Sequence, residues 1–547
     1  MTGYLRYAEL MAALHDLGGG ARLMRLGVSR QGRDIPLVAF GPDDRPAILV
    51  EANTHAGEVT GSAAALALCQ RLAAQADPEV VTVRDSRTVY IVPRLAVDGA
   101  EVYLSSPGML RSAPVPYPDP DQPPGLDPED LDGDGLIRLM RRVDPLGEWR
   151  GDPRDPRLLV RRRPDDRQGP FYRVTPEGRY RDFDGRALPP RSSPFGLDFN
   201  RNYPVQWKPE ATQPGGGGYP LSQPETRALA EFVAARSNLS ALLSLHTTGG
   251  VILRPPAEGG DDALPELDRA LLQGIGDAGE RLTTFPCRST EQAFNTGSSR
   301  PTVKGVDDWA YEHRGLIAYT MELWDLDARA GIAGYAQVGV GGLLKRREEE
   351  LAADELARLR WNDQVLGGAG YMPWQPFDHP QLGPVEIGGW DPKFVRQNPP
   401  LPLLGEECQR AVEFALCLAA ATPRLALGAV HAEGLGPGTW RVRVHVRNEG
   451  YLPTSATRRA VDAGVSRPVK VALSLPPGAT VVDGPAEREI GELDGYGCAR
   501  TGPWGPPAQA DSERWADFVV ACPAGGRLRV EVHHPRGGSA MGEVIVL

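Results

Sequence analysis

Cysteine is scarce in this chain: six residues among 547, at positions 69, 287, 408, 417, 498 and 522, with no Cys-x-x-Cys among them. That scatter excludes a disulfide-dense scaffold and a thiolate metal site. Only Cys498 and Cys522 share a late segment, where a pairing stays open. Long apolar runs are missing too, none reaching the ~18 residues of a membrane-crossing helix. The start, Met1-Thr2-Gly3-Tyr4-Leu5-Arg6, has no basic segment followed by an apolar one. The expectation is a cytoplasmic protein with no membrane partner. Surplus basic charge is also lacking: 60 Lys and Arg stand against 71 Asp and Glu, a net charge of −11. Nucleic acid is therefore not expected as a partner. The run Arg161-Arg162-Arg163 sits among Asp and Pro and reads as a solvated loop. What remains, 41% hydrophobic and 24% charged residues, is ordinary globular composition in a chain long enough for two or three domains.

Strand and helix signals alternate in the first third. Residues 7–17 show helical spacing, 37–40 and 48–50 read as strands, 60–74 as a helix and 89–92 as another strand. This predicts an α/β fold with a mixed, largely parallel sheet buried between helices. From about 106 to 191 the pattern gives way to a Pro, Asp and Arg-rich stretch, an insertion of a size that is functional or carries its own small fold. The alternation then resumes with a buried-strand run at 241–245, a helix over 263–282, a strand over 315–323 and a charged amphipathic helix over 343–365. A second loop is expected over 367–401 and a last helix over about 405–421. Beyond Pro423 come short β-type runs at 439–446, 469–473 and 528–532, separated by Gly and Pro turns, which predict an all-β sandwich. The expected division is 1–424 and 425–547. The pair His533-His534 near the end reads as a surface pair.

The chemistry starts at His55-Ala56-Gly57-Glu58, which follows the apolar run Ala47-Ile48-Leu49-Val50 and precedes a helix. A histidine and a carboxylate three apart at a strand-to-helix turn can face one cation, and zinc accepts that N/O pair with one more protein ligand. Only nine histidines are available to supply it. His246 stands out because it ends the strand 242–245, and the carboxyl ends of strands are where open α/β sheets bind ligands. Asp198-Phe199-Asn200-Arg201-Asn202 and Glu322 fall at the same edge. A carboxylate such as Glu322 inside an apolar strand is costly unless paired, hydrogen-bonded or beside a metal.

Taken in order, HxxE at 55–58, DxNRN at 198–202, His246 after its strand, and Thr320-Met321-Glu322-Leu323 after Asp308-Trp309-Ala310-Tyr311 resemble the M14 family of zinc metallocarboxypeptidases. The similarity runs from about residue 4 to 330 and on towards 422. The segment 379–390 resembles bacterial members with an added C-terminal β domain. The resemblance implies Zn²⁺ held by His55, Glu58 and His246, and a peptide substrate with a free C-terminal carboxylate. It implies Glu322 as general base and then proton donor to the leaving amine. Asp198 would orient the first zinc histidine. Asn200 and Arg201 would grip the terminal carboxylate. Arg141 would stabilise the oxyanion, with its neighbour Arg142 as the alternative. Asp307 would sit at the base of the side-chain pocket and favour Lys or Arg there.

Two positions depart from the family pattern. The mobile-loop tyrosine of many members would fall near Arg300, and no Tyr occurs within 296–308; Gly57 stands where digestive members carry an arginine. The insertion also holds Asp130-Leu131-Asp132-Gly133-Asp134-Gly135, like the first half of a Ca²⁺ loop. Its twelfth position is Arg141 rather than Glu, which excludes an EF-hand and leaves open a Ca²⁺ site closed by other oxygens. Three functions stay open at this stage: a zinc carboxypeptidase, a zinc amidohydrolase or deacylase acting on a small acyl amino acid, and a non-catalytic binding protein. Oligomeric state is not legible.

Overall fold

The computed structural model describes residues 3–75, 77–118, 125–181, 183–185, 193–295, 303–500 and 508–547. Its centre is an eight-stranded sheet. In spatial order the strands are Arg22–Val28, Asp34–Phe40, Thr88–Val92, Ala47–Ala52, Leu239–Thr247, Ile317–Leu323, Val251–Arg254 and Cys287–Ser289. The middle four run parallel and antiparallel strands flank them, the mixed, largely parallel α/β sheet expected from the sequence. Every residue of Ala47–Ala52 and Leu239–Thr247 is buried, as strands covered on both faces must be.

Register alternation assigns the two faces. Tyr90, Leu49, Leu242 and Ala318 share one rung and one face. Tyr90 meets Phe232 of the Pro224–Ala235 helix there, edge-on at 5.1 Å. On the next rung Tyr319 points to the other face and meets Phe414 of the Leu401–Ala421 helix at 5.3 Å. Both rings lie wholly in the core.

The insertion carries strands of its own. Leu139–Val143, Trp149–Asp152, Asp155–Arg161 and Phe171–Pro176 form a six-stranded sheet with Tyr371–His379 and Gly383–Trp390. The stretch 367–401, expected as a loop, thus holds an antiparallel hairpin that pairs through Gly383–Trp390 with Leu139–Val143. Pro373, Pro376 and Pro384 interrupt the alternation that would have revealed it, and the pairing shifts register between Met372 and Gln375.

From Leu425 the chain forms two four-stranded antiparallel sheets packed face to face. Val442, Val444 and Phe518 from one and Val471, Val530 and Val532 from the other make a common core. Cys498 and Cys522 are free thiols, so the pairing left open between them is not made. These sheets lock onto the α/β body. The buried Arg536 guanidinium donates to the carbonyls of Arg314, Gly315 and Ser455. Asp268 accepts from the Arg458 and Arg459 amides and from the Tyr311 hydroxyl. Gly315 has φ +59°, and a Cβ there would meet Ala460 at 2.4 Å, so only glycine closes this contact. No helix among the described residues is long and apolar enough to cross a membrane.

His534 corrects the surface-pair expectation. His533 is exposed, but His534 is buried; its Nε2–H donates to the Arg467 carbonyl at 2.7 Å, and Nδ1 accepts from the Arg536 and Gly537 amides at 3.1 Å. Burial pushes this imidazole down to about 4. A depressed folded-state value means that the unfolded chain binds the proton more tightly. The stabilisation is complete above the ordinary value near 6.5 and is lost as pH falls towards 4, up to about 3 kcal/mol. In denaturant titrations His534→Asn is expected to be less stable than the parent at pH 7 and to lose less between pH 7 and 4. Equal pH slopes for the two proteins would refute a neutral structural His534.

Candidate functional site

The site grows from the carboxyl edge of the parallel strands. His246 and Glu322 are direct partners across the Leu239–Thr247 and Ile317–Leu323 strands, so they share a face about 4.8 Å apart. Leu245 pairs with Ala52, three residues before His55. The turn between them is set by Asn53, whose φ of 60° is one that asparagine tolerates. Its side-chain amide donates to the carbonyls of His55, at 2.6 Å, and Ala56.

His55 Nδ1, His246 Nδ1 and the Glu58 carboxylate converge: His55 Nδ1 to Glu58 2.8 Å, His246 Nδ1 to Glu58 2.8 Å and the two nitrogens 3.1 Å apart. All three residues are buried, and their ligand atoms are close enough to hold one metal ion. The far nitrogens are engaged elsewhere. His55 Nε2 pairs with Asp198 Oδ1 at 3.0 Å and His246 Nε2 with Ser244 Oγ at 2.9 Å. Both rings therefore aim Nδ1 inward, the orientation a two-His, one-carboxylate zinc site requires. The field is right for a cation as well. Burial disfavours charge on His246, yet Glu58 against its Nδ1 raises it to about 9. Burial likewise opposes ionisation of Glu58, but His55 and His246 hold its carboxyl well below the usual range.

Behind this cluster lies a second polar rung that sequence reading did not reveal. Ser244 pairs in register with Glu51 on one side and Thr320 on the other. The fully buried Glu51 accepts from Ser244 Oγ and, at 2.9 Å, from Thr54 Oγ1. A run His246–Ser244–Glu51 thus backs one imidazole, as Asp198 backs the other.

Glu322 stands half-buried on the cleft floor, its Oε2 without a hydrogen-bond partner among the described residues. Desolvation pushes it up to about 8, with Glu58 adding to the rise and His246 opposing it. Asn200, Arg201 and Asp307 line the same cleft of about 810 Å³. Asn200 Oδ1 accepts from the Val306 amide at 2.8 Å, which seats the Val306–Arg314 helix. Asp307, in the first turn of that helix, is buried, and burial raises its carboxyl. Burial raises Asp308 as well, with repulsion from Asp307 adding to it.

Arg141 is not in the cleft, which corrects its assignment. It lies in the insertion sheet, its guanidinium 4.5 Å from the Tyr172 and Trp374 rings and Nε donating to Glu386 at 2.7 Å. Arg142, in the same strand, pairs with Asp144 just beyond the strand's end. The arginine that does reach the site is Arg111. Its carbonyl accepts from the Ala56 amide, its Nε donates to Asp198 Oδ2 at 2.9 Å, and its Nη1 lies 3.5 Å from Glu58. Nothing in the local sequence marks it, a lone arginine before Ser112.

The position near Arg300 lies outside the described residues. A tyrosine nonetheless lines the cleft from another element: Tyr335 donates to the Thr248 carbonyl at 3.0 Å and packs on Phe294. Gly57 has a physical reason too. A Cβ there would meet Gln397 at 2.7 Å and Tyr103 at 2.9 Å, so this chain fills with its own side chains the space an arginine would enter. In the insertion, Asp130 and Asp132 gather with Glu177, whereas Asp134 turns to Arg138 at 2.6 Å. Asp130 accepts from the Gly133 and Gly135 amides, an Asp/Gly turn closed on itself, and a Ca²⁺ site at Asp130, Asp132 and Asp134 is not supported.

A family model described as zinc carboxypeptidase matches residues 7–335, more than half of the chain. The chain belongs to the zinc carboxypeptidase family. A second model, described as a domain of unknown function, matches residues 424–545. Among curated relatives, carboxypeptidase B of Bos taurus is 28% identical over 143 residues, 24% of this chain and 33% of that relative, so the match spans about a third of the relative's length. Among solved structures, bovine thrombin-activatable fibrinolysis inhibitor in complex with tick carboxypeptidase inhibitor aligns at 15% identity and a TM-score of 0.38, covering 67% of this chain and 98% of that one. The metallo-carboxypeptidase from Burkholderia cenocepacia aligns at 14% identity and a TM-score of 0.32, covering 66% and 69%.

Within this zinc carboxypeptidase family member, Arg141→Ala is expected to lower stability by about 2 kcal/mol, from two cation–π contacts and one charged hydrogen bond. Denaturant midpoints check this. An unchanged midpoint would contradict the packed position of Arg141.

Proposed function

We propose that the chain is a zinc metallocarboxypeptidase that removes C-terminal residues from peptides, with preference for Lys or Arg at the terminus. The observation that carries this reading is the convergence of His55, Glu58 and His246 on one point beside Glu322, in the cleft that also holds Asn200, Arg201 and Arg111. Zn²⁺ bound by the three donors would polarise the scissile carbonyl and lower the pKa of water towards about 7.

The chain's own groups supply the rest. Glu322, on the strand next to His246, can take a proton from water and return it to the leaving amine; a carboxyl raised towards neutrality is suited to both transfers. Arg111, which reads as the oxyanion arginine in place of Arg141, can donate to the carbonyl oxygen as negative charge develops there. Asn200 and Arg201 present an amide and a guanidinium to the terminal carboxylate. Asp307 supports the basic preference. It is a buried acid lining the cleft, and among the described residues no Lys or Arg pairs with it. A substrate cation would supply the missing partner and return Asp307 to its ionised form.

Peptide panels with free and blocked C-termini, read by mass spectrometry with and without chelator, test the proposal. Sequential loss of single C-terminal residues from free peptides only, abolished by chelator, is expected. Turnover indifferent to blocking would move the reading to an amidohydrolase, and no zinc with no turnover would leave a binding protein. Glu322→Gln is expected to retain zinc by metal analysis and to lose kcat by ~10² or more. Asp307→Asn is expected to cut kcat/KM for Lys and Arg termini relative to Leu by roughly 10-fold or more, the scale of a lost hydrogen-bonded charge pair. An unaltered Lys-to-Leu ratio would remove Asp307 from specificity.

A further inference from the structure

Outside the cleft, the α/β body and the C-terminal sheets flank a cavity of about 250 Å³ lined by Arg236, Arg314, Arg467, Arg536 and His534. Some buried or half-buried arginines face carboxylates, as Arg254 does Asp261 and Arg358 does Asp327, while Arg87 and Arg94 stand singly on carbonyls or a hydroxyl; this cavity gathers four side by side. Here, among the described residues, none of the four makes such a pair. Arg536 is spent on the backbone carbonyls of Arg314, Gly315 and Ser455, and Arg314 donates to the Ala234 carbonyl. Arg467 reaches only the carbonyls of Gly464 and Ser466. Arg236 lies over the Tyr90 and Phe232 rings, its buried Nε without a partner.

Helix ends explain part of this charge. The Pro224–Ala235 and Val306–Arg314 helices both finish here. Glu492, hydrogen-bonded to Ser466 and Thr454, lies 3.9 Å from His534. Two helix C-termini at about half a negative charge each and one carboxylate offset roughly two of the four guanidinium charges. His534 adds none near neutral pH, because its nitrogens are engaged by the Arg467 carbonyl and the Arg536 and Gly537 amides. Roughly two positive charges therefore surround a cavity in a chain whose net charge is −11. Guanidinium groups with free N–H edges match the oxygens of phosphate-type anions. The volume is below the about 300 Å³ at which sites for drug-sized ligands begin, which limits the occupant to a small anion.

We propose that this seam cavity binds a phosphate-type oxyanion, free or as the phosphoryl group of a small metabolite, and that the anion clamps the C-terminal sheets to the α/β body. It is separate from the cleft. The helix Val306–Arg314 carries Asp307 at one end and Arg314 at the other, about 10 Å apart along its axis.

Calorimetry and thermal melts of the full chain with inorganic phosphate, with glycerol phosphate, and with chloride at matched ionic strength test this. Saturable phosphate binding that raises Tm is expected, and tighter binding of the glycerol ester would identify a phosphorylated metabolite as the source. Arg467→Glu, at an exposed side chain, and Arg314→Gln are each expected to weaken phosphate binding by about 10-fold or more. Arg201→Gln, in the cleft, is expected to leave it unchanged. Should Arg314→Gln fail to fold, Arg467→Glu decides alone. Phosphate affinity equal to the parent's in Arg467→Glu, a loss of binding in Arg201→Gln, or equal melting shifts with chloride would overturn the proposal.

Discussion

One constraint organises the site: the in-register parallel pairing of Leu239–Thr247 with its two neighbours. Because residues on one rung point the same way, the pairing lays Glu51, Ser244 and Thr320 in one row and His246 and Glu322 in the row above. A slip of Leu239–Thr247 by one residue would turn Ser244 and His246 to the opposite face, into the apolar layer around Tyr319 and Phe414 and away from Glu51, Thr320 and Glu322. The rows then act on each other. Ser244 links Glu51 to His246, so the lower row orients a group that reaches the cleft from the upper row.

The cost of this arrangement is electrostatic. Glu51, Glu58, Asp198, Asp307, Asp308 and Glu322 crowd one region, most of them buried. An isolated buried carboxylate is expensive enough to prefer its neutral form. The structure divides the load. Glu58 and Asp198 are held ionised by the histidines and, for Asp198, by Arg111, whereas Glu51, Glu322, Asp307 and Asp308 are pushed towards the protonated form. The first pair sits where a cation is needed. Of the others, Asp307, Asp308 and Glu322 line the cleft, where a proton or a substrate cation can come and go.

What the sequence disclosed follows from this geometry. His55, Glu58, His246 and Glu322 were legible because each closes or follows an apolar run, and strand ends can be read from hydrophobicity alone. Register cannot. Glu51 and Ser244 gain their meaning only from the pairing that places them on one rung. The family resemblance points to Arg141, but its guanidinium packs on the rings of Tyr172 and Trp374 in the insertion sheet. Arg111, the arginine within reach of Glu58 and Asp198, is delivered by one backbone hydrogen bond to Ala56, a long-range contact without a local signature. The sandwich was legible from its alternating strands, but the 371–390 hairpin was hidden by prolines and the burial of His534 by its position beside an exposed twin.

The C-terminal sheets bear on the cleft through the Val306–Arg314 helix. At its start, Asn200 takes the Val306 amide and Asp308 the Gly305 amide. At its end, Arg536 binds the Arg314 and Gly315 carbonyls, Thr457 the Gly315 carbonyl at 2.9 Å and Arg459 Nε the Glu312 carbonyl at 2.9 Å. A nine-residue helix is too short to be stable alone, so its position is set by what holds its ends. Three of the groups at one end come from beyond residue 450. The sheets therefore help to fix the depth at which Asp307 sits in the cleft, and a change at the seam reaches the site through rigid helix backbone rather than through side-chain repacking.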